Sequence, residues 1–199
     1  MRRRETMAER RARRAAVDDP AAVLDAAARL LRVRPRSVAE VRRRLSDAGF
    51  RAELVDGAIG RLADLGMLDD AAFALGWVES RDRARPRGAR ALRDELRRKG
   101  VAAADVESAL AARDAAATGV GDDPGGPAAD AQRAESRASD EAAAGRLLAR
   151  RGGHLSREPD PRKRRSKAYA LLARNGFDPE VCATVAAAWL ARATDATDE

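Results

Sequence analysis

Leu45-Ser46-Asp47-Ala48-Gly49-Phe50 has the form of a helix end followed by a turn back onto the helix. A glycine after the last helical residue adopts positive φ at little cost and closes the final turn, and an apolar residue beyond it can pack back on the preceding helix. The same pattern returns as Leu96-Arg97-Arg98-Lys99-Gly100-Val101 and as Leu172-Ala173-Arg174-Asn175-Gly176-Phe177. In each segment a leucine stands four residues before the glycine and an apolar residue follows it.

The surroundings repeat as well. Before the glycines run apolar stripes at helical spacing: Val38, Val41 and Leu45; Leu92 and Leu96; Ala168 and Leu172. After them run Val55, Ile59 and Leu62; Val106 and Leu110; Val181, Val185 and Trp189. Spacings of three and four mark one buried face of a helix. A further helix precedes each pair, carrying Leu24 to Leu31, then Phe73, Trp77 and Val78, then Leu147 and Leu148. Phe73, Trp77 and Leu96 are expected in the core. A short unit of this kind cannot bury its stripes alone, so neighbouring units must cover one another. The expected fold class is all-α, an elongated tandem array of three three-helix repeats.

Capping signals place the boundaries. Ser37-x-x-Glu40 is a capping box and Asp178-Pro179 sets an acidic N-cap before a first-turn proline. Asp69 and Asp70 can cap the helix that carries Phe73. The expected organisation is a disordered basic arm over 1–18, repeats over 19–68 and 69–117, a flexible Gly/Pro linker over 118–138, a third repeat over 139–193 and a frayed tail over 194–199. Gly49 and Gly100 stand 51 residues apart but Gly100 and Gly176 stand 76 apart. The stretch Thr118 to Pro127, dense in glycine and proline, accounts for the excess.

The 199 residues include 39 Lys and Arg against 32 Asp and Glu, for a net charge of +7. Only Lys99, Lys163 and Lys167 are lysines, so arginine supplies nearly all the positive charge. A basic balance favours polyanionic partners. The bases cluster over 29–44, 81–99 and 146–167, while the third helix of each repeat leans acidic. Stacked repeats would bring the clusters to one side, as a phosphate backbone or an acidic groove requires; alternatively each run is a solvated face paired with acids one turn away. Aromatic residues are 3% of the chain, too few for a base-stacking platform.

Several chemistries lack their residues. Cys182 is the single cysteine and sits in an apolar pattern, so it reads as a core residue and forms no intramolecular disulfide. His154 is the single histidine, in an expected surface loop, without the partners a metal site needs. No phosphate-binding P-loop occurs. Asp69-Asp70 could be imagined as metal-binding carboxylates of a nuclease, but capping explains them more simply. No transmembrane or secretory segment is expected, which places the protein in the cytoplasm without a membrane partner. Neither enzyme activity nor a cofactor is expected.

Arg34-Pro35-Arg36-Ser37-Val38-Ala39-Glu40-Val41-Arg42-Arg43-Arg44-Leu45-Ser46-Asp47-Ala48-Gly49-Phe50 resembles the opening motif of the RecX family. Leu62 to Ala74 is similar to that family's connection between its first and second repeats, and Arg87 to Val101 to its central motif. The resemblance extends well over residues 21–117 and more loosely over 139–192. It implies three-helix repeats that bind along the groove of RecA recombinase filaments on DNA and modulate, chiefly inhibit, RecA's ATP hydrolysis and strand exchange. The long Gly/Pro insertion and the basic loop Gly152 to Lys167 depart from the pattern.

On this reading the RecA- and DNA-binding face is carried by Arg81, Arg85, Arg87, Arg90, Arg97 and Arg98, with Arg36 and Arg43 in support. The expected partners are the RecA filament and single- or double-stranded DNA without sequence preference, met by a monomer. The competing expectation is a nonspecific DNA-binding helical repeat protein with no recombinase partner.

Overall fold

The computed structural model describes residues 5–118 and 128–195. Among them there is no strand: the elements are α1 (Met7–Ala15), α2 (Pro20–Val33), α3 (Val38–Ala48), α4 (Ala52–Asp64), α5 (Asp70–Ala84), α6 (Ala89–Arg98), α7 (Ala103–Thr118), α8 (Ala128–Arg151), a 3-10 turn (Gly152–Arg157), α9 (Pro161–Arg174) and α10 (Pro179–Asp195). The fold is all-α, and the helix triplets α2–α4, α5–α7 and α8–α10 follow the order the glycine pattern predicts. No described helix is long and apolar enough to cross a membrane.

Contacts divide the chain into two compact units, residues 1–73 with 97–105 and residues 74–96 with 106–199. The first has its core between α2, α3 and α4: Val23, Ala27, Val41, Leu45, Val55, Ile59 and Leu62. Val41, Leu45, Val55, Ile59 and Leu62 belong to the sequence stripes, whereas α2 buries Val23 and Ala27 and leaves Leu24, Leu30 and Leu31 partly buried beside them; burying each Val, Leu or Ile side chain contributes about 1.5–3 kcal/mol. The second has a core of small and medium side chains between α8, α9 and α10. Ala143, Ala144, Leu147 and Leu148 meet Ala168, Leu172, Val181 and Cys182. Alanines let helices approach closely where few large side chains are available.

The three helix-ending glycines all have positive φ, at 103° for Gly49, 78° for Gly100 and 80° for Gly176. The Ser37–Glu40 capping box forms. Asp69 Oδ1 accepts from the Ala71 and Ala72 amides at the start of α5. Asp70 does something else: its Oδ1 accepts from the Val38 amide, at the start of α3. Its side chain caps a helix 32 positions away rather than its own.

Five further expectations change. Within the disordered arm expected over 1–18, Met7–Ala15 form α1, because Thr6 and Glu9 make a reciprocal capping box and Arg13 and Arg14 suit the last turn; residues 1–4 lie outside the described residues. Within the expected linker, residues 128–138 instead form the first turns of α8, an alanine-rich stretch of high helix propensity; 119–127 lie outside the described residues. The basic loop 152–167 is a 3-10 turn followed by the start of α9, capped by Asp160 and Pro161. In the expected frayed tail, Thr194 and Asp195 continue α10, and 196–199 lie outside the described residues. Trp77 is half-buried rather than core, because its indole N–H is anchored on Glu95 at 2.9 Å, whereas Phe73 and Leu96 are buried as expected.

Candidate nucleic-acid interface

The arginines sort into two populations, and the acids of the chain do the sorting. In the first unit Glu40 is buried and receives Arg34 through a bidentate pair, 3.1 Å on each oxygen, and Lys99 at 3.0 Å. Burial raises the carboxyl's pKa, but the hydrogen bonds and charges of Arg34 and Lys99 outweigh it and hold the group at about 2. Arg36 is also turned inward: its Nε donates to the Leu30 carbonyl at 3.0 Å, and burial lowers its pKa, with Arg34 and Arg44 adding to the effect. Arg42 pairs with Asp56 at 3.0 Å. Arg43, Arg97 and Arg98 are exposed.

In the second unit the collecting acid is Glu95. Arg81 Nε donates to its Oε2 at 2.7 Å while the guanidinium stacks on Trp77, 4.3 Å from the ring centroid. Arg87 lies 3.6 Å from the other oxygen and donates to Asn175 Oδ1 at 2.9 Å. Arg81 and Arg87 are thus brought together, but around an internal carboxylate. Arg85 and Arg90, on either side of them, are exposed. Of the eight arginines expected at the face, Arg43, Arg85, Arg90 and Arg98 have no ion pair among the described residues, while Arg36, Arg81 and Arg87 hold the structure together.

Arg90 opens onto a cleft of about 690 Å³ that Arg93, Arg133 and Arg137 also line. Arg93 is paired with Glu107 at 2.8 Å, and Arg137 with Glu141 at 3.0 Å and Glu180 at 2.9 Å. Arg133 and Arg137 escaped the sequence reading because they fall in the stretch taken as linker. Their signal was the alanine-rich helical composition of 128–138, outweighed by the glycines and prolines before it.

A buried polar network lies behind this surface. Arg113 reaches Asp82 at 2.9 Å and Asp140 at 2.8 Å, with its side chain only 5% exposed. Asp140 accepts from the Ala89 amide at the start of α6, with 3.1 Å to each oxygen. Burial raises its pKa against the pull of Arg113. Nothing in the local sequence pairs Arg113 with Asp140 across the intervening segment. Cys182 is fully buried, its Sγ 3.6 Å from the Phe177 carbonyl, and burial pushes its thiol up to about 11.

These features define an all-helical protein of tandem three-helix repeats, with one set of arginines committed inward and another presented outward. Family models describing the first and second three-helix domains of RecX match residues 24–62 and 69–110. A regulatory protein RecX of Mycolicibacterium smegmatis is 34% identical over 163 residues, covering 82% of this chain and 77% of that protein. Another, from Mycobacterium sp. strain KMS, is 44% identical over 89 residues, covering 45% of this chain and 49% of that one. The crystal structure of RecX from Lactobacillus salivarius superposes with a TM-score of 0.60 at 20% identity, covering 84% of this chain and 94% of that one, a likeness of fold. The chain belongs to the RecX family.

Proposed function

We propose that this chain is a cytoplasmic, monomeric regulator that binds RecA filaments on DNA and modulates RecA in the inhibitory direction, lowering its ATP hydrolysis and strand exchange. It acts by occupancy rather than by catalysis. Membership of a family whose relatives are named regulatory protein RecX supports the regulatory role. The observation that carries the contact chemistry is the set of exposed arginines without ion pairs among the described residues, Arg43, Arg85, Arg90 and Arg98. Guanidinium groups not satisfied by internal carboxylates can neutralise phosphates or an acidic protein groove and release counterions. Contacts on several repeats let modest individual affinities accumulate. Arg97, Arg81, Arg87 and Arg36 belong to the same basic clusters and shape the surface around these contacts.

The test is RecA's DNA-dependent ATP hydrolysis with and without this protein. Inhibition at protein well below the RecA concentration is the expected result. Inhibition only at levels that saturate the DNA, relieved by excess DNA, would replace this reading with nonspecific DNA binding and no recombinase partner.

A further inference from the structure

Three backbone carbonyls stand directly before a helix-ending glycine: Ala48 before Gly49, Lys99 before Gly100 and Asn175 before Gly176. Two of them meet the start of the second helix of the preceding triplet. In the first unit the Ser37 hydroxyl, at the N-cap of α3, donates to the Lys99 carbonyl at 2.6 Å. In the second unit the Gly88 amide, just before α6, donates to the Asn175 carbonyl at 3.1 Å. Each glycine is packed against the same upstream helix start. A Cβ added to Gly100 would collide with Ala39, and one added to Gly176 with Ala91. An acid from a third helix caps each of those starts, Asp70 at Val38 and Asp140 at Ala89.

Ahead of the first triplet stands α1, and the end of α3 is covered in the same manner. Arg14 Nη1 donates to the Ala48 carbonyl at 3.4 Å, and a Cβ on Gly49 would fall 2.6 Å from Arg11 Cγ and 2.9 Å from the Arg11 carbonyl oxygen. Arg14 also lies over the Phe50 ring, 5.7 Å from its centroid. Helix α1 therefore stands where a preceding triplet's helix start would stand. Its hold is of a different kind, because α1 buries none of its residues. A nine-residue helix is too short to persist alone in water, and its contacts to α3 are made by arginines, side chains that phosphates also attract.

We propose that α1 is a displaceable cap. In the free protein it covers the Gly49 end of α3. A nucleic-acid backbone that takes up Arg10, Arg11, Arg13 and Arg14 withdraws it and uncovers that end. Displacement rests on the nucleic-acid binding proposed above; occupancy by α1 does not.

The experiment places a nitroxide on an Ala8→Cys variant of the full chain, the buried Cys182 remaining unlabelled, and follows the amide signals of Asp47 to Phe50 by NMR. They should be broadened in the free protein and regain most of their intensity when short oligodeoxythymidylate is added to saturation. Binding is followed in parallel by fluorescence anisotropy of the oligonucleotide. Arg14→Ala should restore the same signals without nucleic acid while leaving the amide spectrum of α2–α4 dispersed. Unbroadened signals in the free protein would overturn the cap itself. Binding by anisotropy with persistent broadening would overturn displacement alone. A flat anisotropy titration would overturn displacement together with the nucleic-acid contact of the proposed function.

Discussion

Glu40 and Lys99 are 59 positions apart in the chain and 3.0 Å apart in the fold, with Glu40 also closing the α3 capping box and accepting from Arg34. The carboxylate is held at about 2 against an ordinary value of 4.5. A depressed folded-state pKa contributes stability that is fully present above pH 4.5 and is lost as pH falls toward 2. The contribution is about 3 kcal/mol at neutral pH. Urea denaturation between pH 7 and pH 2.5 should show this loss in the wild type, and Glu40→Gln should be less stable by about 2–3 kcal/mol at pH 7 with a flatter acid limb. An unchanged acid limb in the variant would remove Glu40 as its source.

Arg113 and Asp140 are a buried pair in which Arg113 also holds Asp82 and Asp140 also caps α6. Arg113→Met strips the cation from both Asp140 and Asp82 and should cost about 3–5 kcal/mol, whereas Asp140→Asn leaves Arg113 on Asp82 and should cost less. The double substitution should cost less than the sum of the singles. Additive losses in a thermal-denaturation cycle would show that the two do not depend on one another.

Gly176 and Gly145 should respond in opposite directions to alanine. Gly176 has φ of 80° and an added Cβ would meet Ala91, so Gly176→Ala should lower stability by about 1–3 kcal/mol. Gly145 lies within α8 with open space where its Cβ would be, and Gly145→Ala should raise stability by about 0.5–1 kcal/mol. Equal shifts in Tm would be inconsistent with the close approach at Gly176.

Arg85 and Arg90 point outward whereas Arg36 is committed to the Leu30 carbonyl. Replacing Arg85 and Arg90 together with alanine should weaken oligonucleotide binding and reduce the slope of log affinity against log salt by about 1.4–1.8, two phosphate contacts' worth. Arg36→Ala should instead lower Tm and leave that slope unchanged. A slope change with Arg36→Ala and none with the double variant would reverse the assignment.

The Cys182 thiol is fully buried and raised to about 11, so the thiolate is scarce at neutral pH. A thiol-specific chromogenic reagent should react with the native protein only at the rate of opening, and rapidly once denaturant unfolds it. Fast reaction of native protein would place the residue at the surface.

The sequence by itself determined the helix triplets and their ends. Glycine after a helix, serine or aspartate before one, and apolar spacing of three and four act within a few residues, so they are legible along the chain. It also indicated which segments are basic, and Arg43, Arg85, Arg90 and Arg98 do stand exposed. Only the tertiary structure decided which arginines spend their charge inward, because Glu40 and Glu95 collect Arg34, Arg81, Arg87 and Lys99 from distant or oppositely facing positions. The same holds for Asp70 and Asp140, which cap helices other than their own, and for α1, whose place depends on an uncovered carbonyl and glycine at the end of α3. Local backbone preferences are written in neighbouring residues; the partner of a charge is set by which surfaces the folded helices bring within about 3 Å of one another.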